Sequence, residues 1–300
     1  MIRPIHAILF CALLTTKVGY ASAAEAKHLE PPSETSAAEA KHRIALADQQ
    51  MALIEEMSEA ACMAASGLEV ADHIALIKKV RARYEQVRAG LLTGDPEIGL
   101  TGEEHASRVL KAMARADKRW LVFADALDNI SENGALADDY ATVLFDDDVL
   151  LLKDLKRVLT EVEAAHTNPA EVLYANAFLI ELAARQEVLI EAIAKDVCLV
   201  NFGWKVEKHL ESLQVSLTQF DTTNSALING MPAVGVKPAP TPEIKAALDA
   251  IVVKWAGLKP LVDATQAGEK IGDEAMLMFD RTCLELLHDF ELVVKMYEAL

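Results

Sequence analysis

Two short polar stretches, Gln49-Gln50 and Arg185-Gln186, stand 136 residues apart in a 300-residue chain, and His73 and His209 keep the same spacing. Amide and guanidinium groups on adjacent positions of a helix supply directed donors and acceptors, the chemistry needed to hold a small polar ligand. Imidazole adds a group that titrates near neutral pH. These six residues are the candidate binding set; no catalytic residue, metal ligand or cofactor is expected. Glu-x-x-His places two ligands on one helical face and occurs at Glu163–His166 and Glu285–His288. The two copies do not coincide in the repeat, which speaks against a di-iron site. No Ser/His/Asp or Cys/His arrangement stands out, and no glycine-rich phosphate loop follows a strand, so the chain is not read as an enzyme.

The spacing of 136 belongs to a repeat. Leu53-Ile54-Glu55 recurs as Leu189-Ile190-Glu191, Cys62 as Cys198, and Gly67 as Gly203. Gly94-Asp95-Pro96-Glu97-Ile98-Gly99 recurs as Gly230-Met231-Pro232-Ala233-Val234-Gly235. A one-residue slip then pairs Trp120 with Trp255, Asp138 with Asp273 and Leu152 with Leu287. Such a repeat fixes organisation before any local reading does.

Each copy reads as four helices. Ser36-x-x-Glu39 is a capping box, followed by Ile44, Ala47, Met51, Ile54, Met57 and Cys62 at helical spacing up to Gly67. A second helix carries Ile74, Ile77, Tyr84, Val87 and Leu91 into the Gly94–Gly102 loop, and a third runs from about Glu103 to Ile130. A fourth follows the Asn133-Gly134 turn as one run through Tyr140, Leu144, Leu151, Leu155 and Val162. Thr167-Asn168-Pro169 restarts the pattern, and the second copy repeats the order. The expectation is an all-α protein with two tandem up-down-up-down four-helix bundles, residues 36–166 and 167–300, each with its own core. The chain still shows an apolar period at Leu300, and no output domain is expected.

Residues 1–23 read as a signal peptide: Arg3, an apolar run from Ala7 to Thr16, and Ala21-Ser22-Ala23 as the cleavage site. Residues 24–35 read as a linker. The expected location is the periplasm, with no membrane insertion once the leader is cleaved near Ala23. Loss of Arg3 and Lys17 takes the net charge from −17 to −19, a surface that repels nucleic acid. Cys62, Cys198 and Cys283 are an odd set for an oxidising compartment, and they are read as buried free thiols.

The first helix of each copy resembles a known signature. Ile44-Ala45-Leu46-Ala47-Asp48-Gln49-Gln50-Met51-Ala52-Leu53-Ile54-Glu55-Glu56-Met57 and Ile180-Glu181-Leu182-Ala183-Ala184-Arg185-Gln186-Glu187-Val188-Leu189-Ile190-Glu191 are similar to the opening helix of the N-terminal (PilJ-like) sensor domain of type IV pilus methyl-accepting chemotaxis transducers. That resemblance implies a periplasmic four-helix sensor module related to those of nitrate/nitrite-sensing kinases. It implies a small ligand and a membrane-bound chemotaxis transducer or histidine kinase as partners, reached through helix-one surfaces. In nitrate sensors an arginine seven residues after the leading Ile holds the anion. Here those positions are Met51 and Glu187, so nitrate recognition by the inherited geometry is not expected, and Arg185-Gln186 alone keep the signature's Arg-Gln pair. The alternative function is a non-enzymatic adaptor bundle with degenerate ligand sites.

Overall fold

The computed structural model describes residues 37–134, 136–166 and 174–300. The expected signal peptide, linker, Ser36 cap and Thr167-Asn168-Pro169 restart lie outside these residues. Among the described residues all regular structure is helical: α1 (Ala37–Ala65), α2 (Val70–Thr93), α3 (Ser107–Asn133), α4 (Asp138–Phe145), α5 (Asp148–His166), α6 (Tyr174–Phe202), α7 (Val206–Asn229), α8 (Pro242–Gln266) and α9 (Asp273–Glu298). The all-α expectation holds.

Turn chemistry sets the boundaries between helices. Gly94 and Gly230 end α2 and α7 with φ near 77° and 76° and ψ of 151° and 162°, a region that only glycine occupies without strain. After each comes one 3-10 turn, Pro96–Ile98 or Pro232–Val234, closed by an isolated bridge, Asp95 to Leu100 or Met231 to Val236. Thr241 caps α8, its Oγ1 accepting from Ile244 N at 3.2 Å, with Pro242 in the first turn. A Cβ at position 230 would lie 2.9 Å from the backbone nitrogen of Pro238. Gly230→Ala is therefore expected to lower stability by about 1–3 kcal/mol, read as a shift of the urea midpoint; an unchanged midpoint would contradict the turn geometry.

The fourth helix of the first copy is not one run. It breaks at Asp146-Asp147, between α4 and α5, whereas its counterpart α9 is continuous. At the break two of three consecutive aspartates, Asp146 and Asp148, turn toward cations elsewhere in the fold. Asp146 accepts from Lys205 Nζ at 2.6 Å, from Trp204 Nε1 at 3.1 Å and from Lys208, while Asp148 binds Lys195. The counterparts of Asp146 and Asp148 are Arg281 and Cys283, which have no such pull.

Packing joins the copies through their first helices. α1 lies against α2, α5 and α6; α6 lies against α7, α9 and α1. From Arg43 to Ala64 every residue of α1 is buried except Gln49, which is half-buried. α1 and α6 run parallel: Cys62 bonds to Cys198, with Cα atoms 6.3 Å apart, and earlier on both helices Lys195 Nζ lies 2.5 Å from Glu55 Oε2. The expected free thiols at these two positions are thus corrected to a disulfide; side-by-side parallel helices bring like positions within the span such a bond needs. Cys283 remains a buried free thiol. Apolar residues of both copies form one continuous core across this pair.

The pairing has heptad spacing. Asp48, Met51, Glu55, Ser58 and Cys62 on α1 match Ala184, Glu187, Glu191, Ala194 and Cys198 on α6, and all are buried. A parallel two-stranded coiled coil uses this 3-4 repeat with apolar residues. Here carboxyls fill several of the positions, and Lys195, buried beside Glu55 and Asp148, is the cation that answers them.

Candidate functional site

The half-buried Gln49 marks where the α1–α6 pair opens to a groove. Gln49, His42 and Leu46 of α1 form part of the lining, with Arg83 of α2, Ala184 and Glu187 of α6, and Glu291, Lys295 and Glu298 of α9. The volume is about 290 Å³, and an adjoining hollow of about 400 Å³ shares Gln49, Arg83 and Glu291. Small-molecule sites are concave, few and supplied with a handful of placed polar groups, and this groove has that form.

Its polar groups are held from behind. Arg83 Nη2 donates to Gln49 Oε1 at 3.0 Å and Nη1 to Gln86 Oε1 at 3.2 Å. Gln86 Nε2 donates in turn to Asp95 Oδ2 at 3.1 Å, and Asp95 caps the 3-10 turn through Glu97 N at 2.9 Å. The repeated glycine loop thereby fixes the guanidinium through a chain of hydrogen bonds. At the other end His42 Nε2 donates to the Ile98 carbonyl at 2.8 Å and Nδ1 faces Glu298 Oε1 at 3.1 Å. The Glu298 hydrogen bond, outweighing burial, raises the His42 pKa above its ordinary value, so both ring nitrogens donate over a wider pH range.

The groove brings Arg83 and Lys295 together with three carboxyls, Glu187, Glu291 and Glu298. Among the described residues neither Arg83 nor Lys295 has a carboxylate within ion-pair distance, although the chain carries a net charge of −17. Burial draws the Arg83 guanidinium below its ordinary value, with Glu291 and Asp95 opposing. Glu187, 4% exposed, has no hydrogen-bond or ion-pair partner among the described residues. Burial first, then Glu291 and Asp48, push its carboxyl well above the usual range, and Lys295 pulls it back. Arg83, Lys295 and the raised Glu187 thus face one cavity together with Glu291 and Glu298.

The six residues expected from the sequence separate. Gln49 lines the groove. Gln50 and Gln186 are enclosed, at 1% and 0% exposure, with Gln50 Oε1 and both polar atoms of Gln186 lacking a partner. Arg185 is half-buried on the opposite flank, where it and Lys156 act on Asp48, whose two oxygens accept no hydrogen bond and whose pKa burial pushes up to about 7. His73 stands ten residues from Arg83 along α2, about 15 Å at the helical rise, so it belongs to the far end. Its Nδ1 meets the carbonyls of Leu68 and Glu69 at 3.0 and 3.2 Å, and its Nε2 lies 3.6 Å from Asp280. His209 Nδ1 is 2.7 Å from Asp196 Oδ1, tying α7 to α6. Both histidines brace helix starts.

His42, Arg83, Glu187, Glu291, Lys295 and Glu298 were not in the expected set. Except for Glu298, which matches Glu163, their counterparts in the other copy differ, and a search for matched positions passes over them. One signal was present: Glu187 replaces the arginine of the resembling family at the one position where a carboxylate opposes that family's ligand. Among the described residues no group of three or more His, Cys, Asp or Glu side chains is arranged to hold a metal ion, and no helix is long and apolar enough to cross a membrane. No family model, characterised protein or solved structure matches the chain.

Proposed function

We propose that this protein is an exported, sensor-like binding protein that takes a small ligand bearing a carboxylate into the groove beside Gln49. The observation that carries the reading is Arg83 and Lys295, which make no ion pair among the described residues, facing Glu187 in a cavity of small-molecule size. A ligand carboxylate would meet Arg83 and Lys295, and a donor on the same ligand would meet Glu187, satisfying a buried group that is costly to leave alone. The resemblance to transducer sensor domains supports the reading, as does the parallel α1–α6 pair. Two four-helix bundles, 36–166 and 167–300, would reproduce within one chain the pairing that such sensors make between two. Signalling would pass to a membrane-bound transducer or kinase in the periplasm. With α1 enclosed, ligand reaches helix one through the groove, and a partner protein must use other helices.

The test is a thermal-shift screen with amino acids and small mono- and dicarboxylates, followed by calorimetry on any hit. Binding is expected to weaken about tenfold or more in Arg83→Ala and Lys295→Ala, with the unfolding midpoint without ligand unchanged in Lys295→Ala and modestly lowered in Arg83→Ala, which loses its hydrogen bonds to Gln49 and Gln86. A screen with no shift, or a hit whose affinity ignores both substitutions, would remove the ligand reading. The second reading, an adaptor bundle, would then stand.

A further inference from the structure

The α3–α5 face has a charge opposite to that of the protein as a whole. Arg108, Lys111, Arg115, Lys118 and Arg119 line one wall of a surface groove along α3. Lys153, Lys156 and Arg157 line the other along α5. Part of this charge is used internally. Arg115 and Arg119 each lie 2.7 Å from the buried Asp154, Arg157 pairs with Glu161, and Lys156 pairs with Glu181 at 3.0 Å. Arg108, Lys111, Lys118 and Lys153 are exposed, and among the described residues they have no ion-pair partner.

Apolar side chains accompany the cations. Phe123, Val143 and Leu151 floor one end of the groove, a hollow of about 330 Å³ that continues into a wider trough of about 820 Å³. Val122 and Leu150 at its rim are 56% and 39% exposed, and Leu121 and Val149 beside them are 70% and 55% exposed. Basic and apolar groups so mixed on a concave surface suit a partner that brings both carboxylates and hydrophobic side chains.

The duplication supplies an internal control. At the spacing that aligns Trp120 with Trp255, Arg108, Lys111, Arg115 and Lys118 become Glu243, Ala246, Ala250 and Val253. Likewise Lys153, Lys156 and Arg157 become His288, Glu291 and Leu292, and Leu121 and Val122 become Ala256 and Gly257. The same helix pair folds in the second copy without these cations. Folding does not require them.

We infer that the α3–α5 groove is a docking site for an acidic, amphipathic polypeptide segment of a partner protein. The inference does not rest on the ligand groove at Gln49, which lies among α1, α2, α6 and α9. A peptide is favoured over a bilayer because the apolar hollow is concave, with Phe123, Val143 and Leu151 at its floor beside the Arg115, Lys118 and Arg119 wall, where a side chain reaches and a flat surface does not. The probe is a fluorescein-labelled peptide with Glu and Leu at helical spacing, titrated by anisotropy at low and high salt. Lys111→Glu/Lys118→Glu/Lys153→Glu changes only exposed, unpaired side chains, and circular dichroism checks its fold. Binding is expected to weaken roughly tenfold or more in this variant and to weaken with salt in the wild type, while Lys254→Glu on the opposite copy leaves it unchanged. Absence of wild-type peptide binding would overturn the inference, as would equal binding by the triple variant. Capture by phosphatidylglycerol vesicles without peptide binding would overturn it in favour of a membrane surface, and self-association abolished in the variant without peptide binding would do so in favour of a second copy.

Discussion

Raising the pH from 5 to 8 is expected to destabilise this protein by on the order of 5 kcal/mol from Asp48 and Glu56 alone, a large share of what holds any domain folded. The cause is the carboxyls enclosed around α1 and α6. Burial raises Asp48 from an ordinary 3.8 to about 7 and Glu56 from 4.5 to about 7. Glu59, Glu187 and Glu191 are pushed well above the usual range, burial being the largest cause in each. In the unfolded chain such groups lose their protons near pH 4, whereas the folded protein keeps them to about pH 7 or beyond. Over that window the folded state holds more protons, so stability falls as pH rises, by about 1.4 kcal/mol per unit for each group.

The histidines add to this fall. The Glu298 hydrogen bond raises His42, and for His73 burial is outweighed by Asp280 and the Glu69 and Leu68 carbonyls acting together, so their stabilisation is present below pH 6.5 and is lost as pH rises above it. Glu39, Glu104 and Asp146 act oppositely: despite burial, hydrogen bonds from Thr101, His166 and Lys205 respectively lower them, and their stabilisation disappears in strong acid. The optimum is expected near pH 5. Urea midpoints across pH 4–9 measure it, and a midpoint that climbs from pH 5 to 8 would refute the buried-carboxyl account. Asp48→Asn sharpens the test, since it is expected to be close to neutral at pH 4 and stabilising by about 3–4 kcal/mol at pH 8.

The second large effect is loss of the Cys62–Cys198 bond, which closes a span of 136 residues. In the chain-entropy treatment a loop of this length stabilises by about 5 kcal/mol, because the unfolded chain loses more freedom the longer the loop. Reduction is expected to lower the urea midpoint accordingly at pH 5 as well as pH 8, which separates it from the titration. Alkylation in denaturant without reductant, followed by peptide mapping, is expected to label Cys283 and spare Cys62 and Cys198. Labelling of all three in protein made in an oxidising compartment would refute the bond.

The fold class and most helix ends were legible because they depend on local chemistry. Gly94, Gly230, Thr241 and the apolar periods speak within a few residues of themselves. The break at Asp146 was not legible, since the cations this residue turns toward, Lys205 and Lys208, lie some sixty positions away and mean nothing until α7 is placed. The cysteine bond was legible only conditionally: equivalent helices had to touch, and nothing local decides which helices touch. The heptad seam escaped because its recurring residues are Glu55, Glu191, Asp48 and Glu187, and heptads are sought among apolar residues. Of the groove, Gln49 alone was foreseen. Matching copies reveals what the two halves share, whereas Arg83, Glu187 and Lys295 are where they differ.

That difference follows from how the two first helices are joined. When two identical chains pair about a two-fold axis, any change on the seam occurs twice and must be tolerated against itself. Here each half answers to its own codons, so Met51 stands opposite Glu187's position and Glu59 corresponds to Lys195 without any mirrored copy. Fusion has released the pair from self-complementarity. One outer face is thereby free to turn basic while its twin carries Glu243 and Glu291 at the matching positions.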